Sequence, residues 1–280
     1  MARRKKAVGP LPTIWHADDA LWAKAERVLA EFDPPARFGP ERIDQRKALD
    51  GVIYRMRSGV QWNHLPAEFG DDASVHRTFQ RWVKRGVLAR LWAVLVEGCA
   101  ELGGVDWQWQ AADCALGKAR HGGIRSGRTR PTGPRRAPSA AGVLTEAGGG
   151  PVAVALAPAN RHDSLLLQDI LEAVVVEPPD PLAHEQHLCL DKAFVGAPSD
   201  ATARVFGYEP HVRRIGEEKL DDAGEKKHPA RRWVVERTIS WLNRCRAILT
   251  SWDKTAANYL GMIQLACALL WYRRLHRITT

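Results

Sequence analysis

The sequence predicts an α+β chain, an all-α N-terminal domain followed by a mixed-sheet domain, and three observations carry that expectation. Apolar residues recur at a 3.6-residue spacing through residues 17–102. Gly103-Gly104 then ends that pattern. After it come short apolar runs bounded by turn residues, in the order strand, hairpin, helix, strand, helix, strand, helix.

Each helix of the first part has its own apolar stripe. Leu21, Ala25, Val28, Leu29 and Phe32 share one face and stop before Pro34-Pro35. Ala48, Leu49, Val52, Ile53 and Met56 form a second stripe ending at Ser58-Gly59. Ser74 is placed to cap a third helix, whose Val75, Phe79, Trp82 and Val83 face inward. The other side of that helix carries Arg77, Arg81, Lys84 and Arg85, a solvated face or a surface for a polyanion. Residues 87–102 complete this small domain, and residues 1–16 read as a basic, flexible tail.

In the second part, residues 107–113 suit a strand. Residues 143–146 and 152–157 flank Gly148-Gly149-Gly150, a hairpin signal. A helix is expected over 164–176 with Asp163 as its cap, which explains His162-Asp163 without catalysis. A strand at 187–190, a helix at 200–206, a strand at 211–213, a long helix over 230–250 and a last apolar helix at 257–275 follow. That order is a ribonuclease-H-like mixed sheet, in a domain spanning 105–278. There the first strand, the fourth strand and a late helix meet at one edge, and Asp113, Asp191 and Glu236 occupy those places. One aspartate at a strand end is ordinarily a turn residue; three acids at one meeting point suggest a site. Such hard anionic ligands suit Mg²⁺, and two ions about 3.5–4 Å apart can activate an attacking oxygen and stabilise a leaving one.

Around Glu236, Arg232 stands one turn earlier, Ser240 one turn later and Asn243 two turns later. Arg232 is placed to hold the carboxylate or a phosphate, and Asn243 and Arg244 to touch backbone oxygens. Lys192, beside Asp191, reads equally as a phosphate contact or a surface lysine.

Composition narrows the partner. The 280 residues are 45% hydrophobic and 26% charged, with a formal charge of +9, which favours a polyanion. The five cysteines are odd in number, scattered and without a CxxC, so reduced thiols and a cytoplasmic setting are expected. There is no apolar run of membrane-spanning length and no signal stretch. No Walker loop, dinucleotide fingerprint or zinc spacing is present.

An ordered set of motifs resembles the DDE transposases of bacterial insertion sequences, specifically the insertion-sequence-five family. The likeness covers residues 38–277. It rests on Arg57-Ser-Gly-Val-Gln-Trp-Asn-His-Leu-Pro66, Val75-His-Arg-Thr-Phe-Gln-Arg-Trp82, Ala112-Asp-Cys-Ala-Leu-Gly-Lys118, Ala159-Asn-Arg-His-Asp163 and Leu190-Asp-Lys-Ala-Phe194. It continues through Arg232-Trp-Val-Val-Glu-Arg-Thr-Ile-Ser-Trp-Leu242, Ala256-Ala-Asn-Tyr-Leu-Gly-Met-Ile-Gln-Leu-Ala266 and Trp271-Tyr-Arg-Arg274. The resemblance implies that Asp113, Asp191 and Glu236 are the catalytic, metal-binding triad, with two Mg²⁺ ions and Mn²⁺ as a substitute. It implies binding of double-stranded DNA, both the element's terminal inverted repeats and the target, by a cytoplasmic, nucleoid-associated homodimer. Of the family's Tyr–Arg–Glu–Lys helix signature only Arg232 and Glu236 match; Pro229 replaces the Tyr and Asn243 the Lys, with Arg244 as the substitute cation. The helical domain, with Arg77, Arg81, Lys84 and Arg85, would grip the repeats. A non-catalytic DNA-binding remnant is the alternative, and a stand-alone nuclease of the same fold a third.

One stretch departs from the family. Residues 114–145 carry seven cations, from Lys118 to Arg136, and Pro131, Pro134 and Pro138 fall where the second strand belongs. Residues 128–139 can be encoded so that another frame gives Asp-Pro-Thr-Asp-Arg-Ala-Lys-Lys-Gly-Thr-Lys, a block like the family's. Compensating indels across 128–142, leaving 114–142 irregular and this copy's catalysis in question, are therefore expected.

Overall fold

The computed structural model describes residues 13–35, 38, 41–119, 139–158, 163–212 and 232–280. Four helices open it: α1 (Asp19–Phe32), α2 (Gln45–Ser58), α3 (Asp72–Arg85) and α4 (Val87–Glu101). Their inward stripes are the expected ones, with Leu21, Val52, Ile53, Phe79 and Trp82 essentially inaccessible. Capping fixes where they begin. Asp18 accepts from the Leu21 N–H and Asp44 from the N–H groups of Arg46 and Lys47. Helix α3 is capped by Asp71 and not by Ser74, because Ser74 already lies in the first turn and its N–H is the donor that needs a partner. Helix α2 ends on Gly59 at φ +70°, where a Cβ would stand 2.8 Å from the Arg246 Cβ.

The sheet runs β3 (Pro151–Pro158), β2 (Ser139–Glu146), β1 (Trp109–Ala119), β4 (Gln186–Leu190), β5 (Tyr208–Val212). The β1–β2 and β2–β3 pairs are antiparallel, while β1–β4 and β4–β5 are parallel. A short β6 (Thr250–Ser251) pairs with the far end of β1. This is the ribonuclease-H-like order. Helices α5 (Asp163–Glu172) and α6 (Ala197–Val205) lie between the strands in sequence, with α7 (Trp233–Leu242), α8 (Arg246–Leu249) and α9 (Ala256–Thr279) after them. Gly142 admits α5: a Cβ there would fall 2.3 Å from the Ile170 Cδ1.

Three boundaries differ from expectation. The stretch 114–142, expected to be irregular, is strand at both ends, paired from Asp113↔Val143 to Gly117↔Ser139. Its Ala-Leu-Gly and Ser-Ala-Ala-Gly residues carry little strand propensity, so the pairing comes from the partner strand. Residues 120–138, with Arg120, Arg125, Arg128, Arg130, Arg135, Arg136 and the three prolines, lie outside the described residues, as do His162, Pro229 and Arg231. The long helix expected over 230–250 breaks at 243–245 into α7 and α8. The helix expected to reach 176 stops at Glu172, and Val174 instead bridges to Ala153.

The two parts share one core. Helix α9 packs along α4 and also meets β3, and a single buried cluster runs through both parts. The indole N–H groups of Trp92 and Trp271 both donate to the Pro151 carbonyl, at 3.1 and 2.6 Å. Arg55 of α2 pairs with buried Asp253 at 3.2 Å, and the Tyr272 hydroxyl donates to Asp18. Residues 17–102 therefore do not own a separate core. Among the described residues no helix is long and apolar enough to cross a membrane.

Candidate active site

Parallel pairing puts two of the acids together. Ala112 and Leu190 are register partners on β1 and β4, so Asp113, next on β1, and Asp191, the first residue past β4, come out at the same edge. Each carboxylate turns back on its own chain, Asp113 accepting from the Cys114 N–H at 2.8 Å and Asp191 from the Lys192 N–H at 2.6 Å. Glu236 comes from α7, which packs on β1 and β2.

What seats α7 is the glycine hairpin. The Thr238 hydroxyl donates to the Gly149 carbonyl at 2.6 Å, and Arg237 Nη2 to the Gly148 carbonyl at 2.8 Å. The Arg237 guanidinium lies 4.8 Å from the ring centres of both Trp233 and Trp241, one turn to either side. The hairpin itself is tied by Glu146, fully buried, which accepts from the N–H groups of Asp106, Gly148 and Gly150 and from Arg274. Sequence reasoning passed over Glu146 and Arg237 in these roles. The i, i+4, i+8 spacing of Trp233, Arg237 and Trp241 was the available signal for the second.

Arg232 joins the acids. Its Nη1 is 2.5 Å from Asp191 Oδ1 and its Nη2 3.0 Å from Glu236 Oε1. Asp113 lies within electrostatic reach of Asp191, Arg232 and Glu236. Burial pushes the Asp113 carboxyl above the ordinary carboxylate range; the Cys114 N–H and Arg232 pull it down, and the charges of Asp191 and Glu236 raise it further. Among the described residues, three carboxylates face one bridging guanidinium, which leaves a negative surplus in the cluster. Oxygen donors on three different elements with uncompensated negative charge suit a hard divalent cation. As it stands, though, the arginine spans two of them, and among the described residues no three His, Cys, Asp or Glu side chains form a ready metal cage.

The remaining predicted residues divide. Lys192 is exposed in the 3-10 turn Lys192–Phe194 beside Asp191. Asn243 caps α7 two turns beyond Glu236, and Arg244 is exposed next to it. Arg244 has company, since burial and then Arg277, Arg57 and Arg244 itself hold the Arg273 guanidinium below its usual pKa. On α3, Arg77 and Lys84 are exposed. Arg81 and Arg85, expected with them on the DNA-facing side of the helix, converge with Arg42 on Asp33 while remaining partly exposed. Its carboxylate has no solvent exposure and receives Arg81 Nε at 2.9 Å, Arg85 Nη1 at 2.7 Å, Arg42 Nη1 at 3.1 Å and the Trp82 indole N–H. Asp33 was missed because at the end of α1 it reads as an ordinary helix terminus; its partners lie up to 52 residues away.

Residues 17–92 match the family described as "Putative transposase of IS4/5 family". Residues 126–271, just over half of the chain, match the transposase DDE domain, a span that includes Asp191 and Glu236 and begins downstream of Asp113. A 16.2 kDa protein of insertion element IS402 from Burkholderia cepacia is 30% identical over 41% of this chain and 80% of its own. A protein from the same organism named as a putative transposase for IS402 is 28% identical over 52% of this chain and 69% of its own. The crystal structure of the Mos1 mariner paired end complex with Mn covers 99% of this chain and 82% of its own, at 10% identity and a TM-score of 0.28. That score is too low to bear on the fold, which rests on the strand order. Two family matches in sequence along one chain, the second carrying two of the three clustered acids, lead to one assignment: the chain belongs to the DDE transposases of the IS4/5 type, enzymes that act on DNA.

Proposed function

We propose that this chain cuts DNA at the terminal inverted repeats of its element and joins the freed 3′ ends to target DNA, with Asp113, Asp191 and Glu236 holding two Mg²⁺ ions. Mn²⁺ would substitute. The observation that carries the reading is the meeting of three acids from β1, β4 and α7 at one edge of the sheet with a net negative surplus. Bound divalent ions would supply charge stabilisation of the attacking and leaving oxygens. The chain's residues do the rest. Register and hairpin would hold the three carboxylates relative to one another, with Lys192 and Arg232 beside them and Asn243 and Arg244 at the far end of α7 as contacts for the phosphate backbone. Water adds to phosphorus, the bond to the 3′ oxygen breaks, and a 3′-hydroxyl is left. That hydroxyl then attacks a target phosphodiester and displaces a new 3′-hydroxyl. Arg77 and Lys84 are the best-placed groups on α3 for the repeat backbone, with Arg81 and Arg85 adding charge while anchored to Asp33. The active species would be a homodimer on paired ends.

The test is metal-dependent nicking and end joining on a duplex carrying the element's ends. Asp191→Ala is expected to abolish both while leaving salt-sensitive DNA binding in place. Binding without nicking by the unaltered chain would instead support the DNA-binding remnant, a reading favoured by the acid-free stretch at 114–145. The out-of-frame origin of residues 128–142 is read directly from the codons, which must yield the Asp-Pro-Thr-Asp block in another frame.

A further inference from the structure

We propose that Arg232 is the resident cation of the site before metal arrives: its guanidinium clamps Asp191 to Glu236, and a divalent ion loads only by taking those oxygens from it. The inference rests on the reading of the three acids as metal ligands and goes beyond it, since it makes the empty and loaded states exchange one cation for another.

The geometry separates this bridge from an ordinary helix pair. An exposed i, i+4 contact between Arg232 and Glu236 alone would be a surface feature of little weight. The second arm of the fork reaches a different element, taking Asp191 at 2.5 Å while the first holds Glu236 at 3.0 Å. Two carboxylates on β4 and α7 that would otherwise repel are thereby drawn together, with Asp113 close enough for its charge to be felt.

Exchange is physically easy. Arg232 is 42% exposed, Glu236 47% and Asp191 26%, so each arm of the clamp is a solvent-screened pair. The guanidinium can swing into water without moving the helix, because the Arg232 carbonyl accepts from the Glu236 N–H and keeps its backbone in the first turn. A divalent ion brings twice the charge to the same oxygens and can include Asp113, which Arg232 does not bond. The buried acids behave differently: Asp33 and Glu146 are fully inaccessible, and no ion can reach them to compete.

The probe is Mn²⁺ alone, titrated into the purified full chain by calorimetry, with thermal melting in Mn²⁺-free and Mg²⁺-containing buffer. Arg232→Gln is expected to bind Mn²⁺ roughly threefold to tenfold more tightly than the unaltered chain, having lost its competitor. Its metal-free melting temperature should fall and its Mg²⁺-induced rise should grow. Arg232→Lys, which keeps the charge and loses the fork, should lie between. An Arg232→Gln chain that is folded by circular dichroism and binds Mn²⁺ with unchanged or weaker affinity overturns the exchange. Asp191→Asn separates the two levels of failure. If the unaltered chain binds Mn²⁺ and Asp191→Asn does not, a flat Arg232→Gln result sinks the exchange alone. If the unaltered chain, Asp191→Asn and Arg232→Gln all show no uptake, the metal-site reading itself fails.

Discussion

Two clusters of acid and arginine in this protein are built from the same residue types and do opposite things. At Asp33 one fully buried carboxylate is met by three partly exposed arginines and a buried indole. At the sheet edge, among the described residues, three carboxylates meet one arginine, half in water. Where donors outnumber acids, the charge is spent on holding helices together. Where acids outnumber donors, the surplus is available to a cation from outside. The ratio of partners and their burial, more than the residue types, divides architecture from chemistry here.

The largest effect should come from Asp33. Asp33→Ala leaves Arg42, Arg81 and Arg85 facing one another over a buried hole, and about 3–5 kcal/mol of stability should be lost in urea or thermal unfolding. An effect below about 1 kcal/mol would mean that the cluster is no more than a surface contact. A middle-sized effect is expected on α3's outer face. Replacing Arg77 and Lys84 together by Ala should weaken DNA binding and reduce the salt slope by about 2. Melting should change little. Replacing Arg81 instead should destabilise the fold at least as clearly as it weakens binding. If the Arg77 and Lys84 double variant and the Arg81 variant behave alike, the distinction drawn between anchored and exposed cations is wrong.

The smallest effect tests the other cluster. Because burial and like charges raise the Asp113 pKa, its contribution favours the fold at low pH and is lost as pH rises through that raised value, above the ordinary carboxylate range. The metal-free Asp113→Asn chain should therefore melt about 1–3 °C higher than the unaltered one at pH 7 and alike near pH 3. A lower melting point at pH 7 would show that Asp113 is already satisfied and the site is not short of positive charge.

Much of this was legible in the sequence, and the gaps have physical causes. The helical stripes, the hairpin at Gly148-Gly149-Gly150 and the strand-end positions of Asp113 and Asp191 follow from local periodicity and turn chemistry, which a linear reading captures. The break at 243–245 does not, because apolar residues continue through it, with Leu242, Cys245 and Ile248 all buried. The outer halves of β1 and β2 are small residues whose strand character comes from one another. Asp33 and Glu146 are hubs for side chains far away in sequence, and nothing local marks them. Arg232 was expected to hold a carboxylate or a phosphate; that it spans two carboxylates depended on α7 packing on β1 and β2, which brings its start to Asp191 just past β4.

The double use of the Pro151 carbonyl has a genetic consequence. Because α9 is the wall on which both the helical part and the sheet lean, a nonsense mutation anywhere before codon 256 would strip the apolar face of α4 as well as an edge of the sheet. Decaying gene copies shortened in that way would lose the shared core, and a DNA-binding remnant that kept this fold would need the codons of α9.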